Sequence, residues 1–171
     1  MNKLYLLSCF LLLTGASILA QETTTPVLNK SNRIILHFKD TTGLFMQLAR
    51  LLIDRGYDIE MKDRELGILR TKPSPLRGGN SWTDQVQILT IFRDSTVTFS
   101  GITYSTSSSH DFVVYENKYE VSYSKRWFRN LMLSWEEMQK IGELLKPASI
   151  SYLTVDVIER APRVDPFKRS N

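Results

Sequence analysis

The sequence has almost no cysteine. Its single thiol, Cys9, falls inside an apolar leader, so the body of the chain offers no disulfide, no thiolate nucleophile and no cysteine metal site. Histidine is nearly as scarce, with only His37 and His110, one in a strand-like run and one in a polar loop. General-base or metal chemistry needs partners gathered around such a residue. The sequence shows no HExxH, no close histidine pair and no nucleophile elbow. "RGGN" (77–80) lacks the pattern and the lysine of a phosphate-cradling loop. Charge of one sign is lacking too. The net +4 has its excess in "KRWFR" (125–129) and the tail "RAPRVDPFKRSN" (160–171), a balance too small to mark a nucleic-acid partner. There is no internal repeat of roughly 20–50 residues, and one domain is expected.

What is present begins with "MNKLYLLSCFLLLTGASILAQE" (1–22). Lys3, an uncharged apolar stretch over 4–20 and small residues near Ala20 are the parts of a secretory signal peptide, so residues 1–20 are expected to be removed. A membrane-spanning helix needs about 20 mostly apolar residues, and Ser8, Thr14, Gly15 and Ser17 dilute this stretch. "LLSC" (6–9) looks like a lipoprotein processing box, but Cys9 leaves almost no apolar core before it. The mature protein is then periplasmic or secreted, with no transmembrane segment after cleavage. Without disulfides it must be held by its own core. A body of about 150 residues suffices, since such a domain buries roughly 68–70% of its unfolded surface.

Residues 21–31 read as a flexible polar leader into a single domain over 32–159. "NRIILHFK" (32–39) alternates Ile34, Leu36 and Phe38 against Ile35 and His37, a strand. "DTTGLFMQLARLLIDRG" (40–56) is the clearest helix. Leu44, Phe45, Leu48, Ala49, Leu51 and Leu52 form one apolar stripe, Asp40 or Thr41 suits the N-cap, and Gly56 stands where a left-handed residue ends a helix. A hairpin follows over 57–71, with Tyr57, Ile59 and Met61 opposed to Asp58 and Glu60. "KPSPLRGGNSWTD" (72–84) has the prolines and glycines of a surface loop.

A second hairpin over 85–105 turns at Asp94-Ser95. Its apolar phase shifts at Gly101, from Val97 and Phe99 to Ile102 and Tyr104, which predicts a bulge or bend. "STSSSHD" (105–111) reads as a polar loop tip, and 111–127 as a strand pair turning at Glu116-Asn117. "SWEEMQKIGELLKP" (134–147) opens with Ser134 and Glu137 at capping-box spacing, and Trp135, Met138, Ile141 and Leu145 line one side of that helix. "SISYLTVDVIE" (149–159) is a last strand. The basic tail 160–171, with Pro162 and Pro166, is expected to be disordered.

Two amphipathic helices among mostly hairpin-connected strands predict an α+β fold, a two-layer sandwich of a mainly antiparallel curved sheet with two helices on one face. The unit "RGYDIEMKDRELGILRT" (55–71) carries a resemblance through Gly56, Tyr57, Ile59, Asp63, Gly67, Ile68 and Thr71. It resembles a unit in small exported envelope domains of unknown function from Gram-negative, Bacteroidetes-like bacteria. It is also similar to the TBP-like or helix-grip domains of the accessory lipoprotein of the outer-membrane β-barrel assembly machine. The resemblance implies an interaction or scaffolding role and supplies no catalytic residue. The missing lipoprotein box departs from that pattern.

Among candidate sites, Asp58, Glu60, Asp63 and Glu65 are interleaved with Lys62 and Arg64 and lack the order of a calcium loop, so they read as a solvated face. "DTT" (40–42) and "DST" (94–96) match a glycosylation signal, but a helix cap and a hairpin turn demand the same residues. The richest constellation is "YSKRWFRNLMLSW" (123–135). Aromatics and arginine dominate interface hot spots, so Trp127, Phe128, Arg126 and Arg129 are the candidate interface, with Trp82 as a second anchor. The competing reading packs Trp127, Phe128 and Leu131 into the core with the cations in water. The expectation is an exported, non-catalytic binding or scaffolding protein of the bacterial cell envelope, acting through a protein interface, with no cofactor and no metal. The alternative is a carrier holding a small lipophilic ligand between sheet and helix. A hydrolase built on Asp and Glu ranks last.

Overall fold

The computed structural model describes residues 22–79, 84–108, 114–124 and 129–155. The expected signal peptide (1–20), the basic tail (160–171), His110, Trp82, Arg126, Trp127 and Phe128 lie outside the described residues. Among the described residues nine strands make one sheet. They are β1 (Glu22–Thr23), β2 (Arg33–His37), β3 (Ile59–Asp63), β4 (Ile68–Thr71), β5 (Ser74–Pro75), β6 (Asp84–Arg93), β7 (Thr96–Ser108), β8 (Val114–Glu120) and β9 (Ser149–Leu153). The described residues also form two helices, α1 (Leu44–Asp54) and α2 (Arg129–Leu144).

The β6–β7 hairpin is the spine, paired without a register break from Asp84↔Ser105 to Arg93↔Thr96. On one side β7 pairs β2 near the turn and β8 farther along. On the other, β6 pairs β4 near the turn and β5 at its start. β9 and then β1 extend the sheet beyond β2, and β3 extends it beyond β4, every pair antiparallel.

Strand parity sorts the side chains. Ile34, Leu36, Val86, Ile88, Val97 and Phe99 point to one face and are fully buried. Helix α1 lays Leu44, Phe45, Leu48, Ala49 and Leu52 on that face, where the Phe45 and Phe92 rings meet at 5.0 Å. Helix α2 adds Trp135, Met138 and Ile141, with the Trp135 ring 5.9 Å from both Tyr123 and Tyr152. Gly142 packs so close to the sheet that a Cβ there would lie 3.1 Å from Leu36 Cδ2. Both helices therefore cover one face, and the fold is an α+β two-layer sandwich. Among the described residues no helix is long and apolar enough to cross a membrane.

Local expectations meet the structure unevenly. Gly56 ends α1 with φ +88°, a conformation that costs a residue with a Cβ. Neither Asp40 nor Thr41 caps α1. Asp40 Oδ1 instead accepts from Thr42 N at 2.8 Å in the preceding turn, and Gly43 takes the N-cap position with no side-chain bond. That amide bond lowers the Asp40 carboxyl below its usual range. The "surface loop" 72–84 contains β5, and Leu76 within it is core, at 2% exposure.

No bulge occurs at Gly101. The inward row runs on through Val97, Phe99, Gly101 and Thr103, while Ile102 and Tyr104 belong to the other face. The glycine makes room: a Cβ there would lie 3.0 Å from Met138 Sδ and from Val121 Cγ2. A bulge lies instead between Ile59 and Met61 on edge strand β3, and it leaves Met61 exposed. Glu116-Asn117 is no turn, since both residues sit inside β8, paired with Thr106 and Ser105. Helix α2 starts at Arg129, so Ser134 is buried in mid-helix and caps nothing, its hydroxyl unpartnered among the described residues. Within the stretch expected to be a flexible leader, Glu22–Thr23 pairs with β9 and Ser31 is buried.

Candidate functional site

Helix α1 carries two adjacent stripes. The first is the buried one. The second, displaced around the helix, consists of Gly43, Met46, Gln47, Arg50, Leu51 and Asp54, and with Leu144 of α2 it lines an open furrow of about 490 Å³. A smaller hollow of about 320 Å³ adjoins it through the shared Leu144 and is lined by Arg55, Lys140 and Glu143. Met46 is 38% exposed and Leu144 51%, and both face this one concavity. Charges of both signs edge this furrow. Methionine beside leucine is an adaptable apolar lining.

The adjoining hollow borders a buried ion pair through Arg55. Arg55, at the C-terminal end of α1, reaches α2: its Nη2 donates to Glu137 Oε1 at 2.7 Å and Oε2 at 2.9 Å, and its Nε to Oε1 at 3.0 Å. Tyr57 donates its hydroxyl to the same oxygen at 3.4 Å. The Glu137 side chain is 5% exposed and that of Arg55 19%, so the pair is nearly dry and bidentate. Burial, reinforced by the Glu137 charge, pushes the Tyr57 phenol far above its usual range. This clasp fixes the distance between the helices. Sequence reading missed it because Ser134-x-x-Glu137 has the spacing of a cap, and nothing local shows that a carboxylate will be met from across the fold.

Among the described residues no helix covers the other face of the sheet. One lateral row crosses five strands there: Ile68, Ile91, Thr98, Ile35 and Ser151. These residues are half-buried except Ser151, which is buried. Ion pairs sit toward the margins. Arg33 meets Glu120, and Arg70 Nε lies 2.9 Å from Glu60 Oε2 without hydrogen-bond alignment. His37 Nε2 lies 2.8 Å from Glu22 Oε1 and 2.7 Å from Ser151 Oγ.

Ser151 also donates to Glu22, which lowers that carboxyl below its ordinary range. Serine, histidine and glutamate together invite comparison with a hydrolytic triad. A triad places the serine on one imidazole nitrogen and the acid on the other. Here both crowd Nε2, so the acid cannot orient the base toward the serine.

Of the five candidate interface residues, Arg129 alone is described. It is exposed at the start of α2 and donates to Gly78 O at 3.1 Å. Beside it, Asn130 Nδ2 donates to Asp84 Oδ1 at 2.7 Å. The structure thus brings the flanks of the two sequence patches, 77–79 with Asp84 and 129–130, into contact. Asp58, Glu60, Asp63 and Glu65 form no metal-ligand cluster among the described residues. Asp94 and Ser95 make the β6–β7 turn as expected, with Asp94 at φ +46°. No protein family, no curated protein and no solved structure matches this chain.

Proposed function

We propose that the chain is an exported, non-catalytic binding or scaffolding protein of the bacterial cell envelope, which holds a protein partner in the furrow between α1 and α2. One observation carries the reading: Met46 and Leu144 are exposed apolar side chains facing the same concavity. Apolar groups that face a concave surface are where partners dock. The Arg55–Glu137 clasp ties the end of α1 to α2, the two helices that wall the concavity, and a preformed concavity lowers the cost of binding. The occupant is a peptide segment that seats apolar side chains on Met46, Leu51 and Leu144 and meets Arg50 and Lys140 with carboxylates. Export rests on the leader at 1–20. The carrier alternative lacks a comparable support, since α2 closes onto the sheet at Gly142 and Leu36.

The test is a photocrosslinking side chain at Gln47, on the wall of the furrow, installed in the protein in its native envelope. A specific protein adduct is expected, and it should vanish in the Met46→Glu/Leu144→Glu double variant while the thermal melt stays unchanged. An adduct that survives the double variant, or no adduct at all, defeats the reading.

A further inference from the structure

β8 is an edge strand: among the described residues it pairs with β7 and with no strand on its other side. One bond shows which of its backbone groups face outward. Val121 N donates to Gly101 O at 2.9 Å, in the register that continues through Glu120↔Ile102 and Tyr119↔Thr103. Hydrogen-bonded and non-bonded pairs alternate along an antiparallel ladder. Tyr119 and Asn117 therefore turn their backbone groups to β7, and residues 116, 118 and 120 turn theirs away. Such an edge is a template for another strand.

The strand's own sequence says which strand. "VYENKYE" (114–120) is complementary to itself when reversed about Asn117. Position 116 then falls opposite 118, and 115 opposite 119. A carboxylate meets an ammonium twice, tyrosine meets tyrosine twice, and asparagine meets asparagine on the axis. Opposite charges and aromatic pairs directly across a ladder favour pairing, and like charges oppose it. Moving the axis to 116 sets glutamate against itself. Moving it to 118 sets lysine against itself and Glu116 against Glu120. The axis at Asn117 gives two attractive charge pairs and no like-charge pair. An axis at Tyr119 would set Lys118 against Glu120, but that carboxylate is already held by Arg33 and Asn32.

We propose that a second copy of this chain adds across β8, the two strands related by a two-fold axis at Asn117. The outward amides and carbonyls of 116 and 118 exchange bonds in this register, and the two sheets become one with all helices on the same side. Lys118 already lies over the Tyr104 ring at 5.2 Å, on the helix-free face, where position 116 of the second copy arrives. Tyr119, 46% exposed at the margin of the opposite face, gains a tyrosine across the axis. A two-fold contact of this kind closes on itself and stops at two copies. The proposal uses none of the furrow residues and does not rest on the function proposed above.

Sedimentation velocity across a concentration series of the purified protein tests it. The wild type is expected to show a monomer–dimer equilibrium. Lys118→Glu and Glu116→Lys each turn two attractive pairs into repulsive ones and should weaken the dimer roughly ten- to thirty-fold. The double swap Glu116→Lys/Lys118→Glu restores complementarity and should restore the dimer. An equimolar mixture of the two single variants should form a heterodimer although neither pairs with itself. A wild type that stays monomeric overturns the proposal. So does a dimer indifferent to both single swaps, or a failure of both the double swap and the mixture to restore association. If one single variant does not fold, the other single variant and the double swap still decide.

Discussion

The two faces of one sheet are built from the same strands and obey different rules. Along β6 and β7, Val86, Ile88, Val97 and Phe99 are sealed under helices, while their neighbours Gln87, Leu89, Thr98 and Ser100 remain half-exposed. Among the described residues the covered face holds one ion pair, nearly dry, and the open face holds several that are more exposed. Arg55–Glu137 at 2.7 Å and Arg70–Glu60 at 2.9 Å are nearly equal in length, yet the side chains are 19% and 5% exposed in the first and 39% and 40% in the second. Burial, and not distance, separates what these contacts do.

That contrast breaks most visibly in the core. Trp135→Ala, at a residue 1% exposed between two tyrosine rings, should cost about 3–5 kcal/mol. Thr98→Ala on the open face should stay within about 0.5 kcal/mol. Urea unfolding of both variants measures the gap, and equal effects would erase the distinction between the faces. The ion pairs come next. Glu137→Ala strands a guanidinium that reaches water only at its margin and should cost about 2–4 kcal/mol, little changed by salt. Glu60→Ala should cost less than about 1 kcal/mol, an effect that disappears in high salt.

The smallest effect at neutral pH belongs to Tyr57. Its phenol is raised in the folded state by burial and then by Glu137, so its contribution is complete below the unfolded tyrosine value of about 10. That contribution falls as the pH climbs beyond that value, because only the unfolded chain ionises there. Stability should therefore drop in alkali, and the drop should shrink in Tyr57→Phe, as followed by circular dichroism.

Where the sequence spoke through periodicity, it was legible. The stripe from Leu44 to Leu52, the stop at Gly56, the Asp94-Ser95 turn and the row Trp135, Met138, Ile141, Leu145 are repeats of side chains along one element, and burial follows them. It was misread where the partner is remote. Glu137 fitted a cap until Arg55 met it from another helix. Gly101 looked like a kink because the space it leaves is filled by Met138 and Val121. Leu76 sat among prolines and glycines, and only its place beside β6 makes it core. Glu116-Asn117 looked like a turn because polar residues on an edge strand and polar residues in a turn are alike until pairing is known. The furrow was invisible for the same reason, since Met46 and Leu144 are far apart in the chain.

The pairing of the first described strand with the last sets a clock on biogenesis. β2 lies between β7 and β9, and β1 lies beyond β9. A ribosome-bound chain short of Ser149 therefore leaves one border of β2 without its neighbour, and the early residues wait for the late ones. Closure of this border of the sheet therefore waits for residues 149–153, however early the other strands pair.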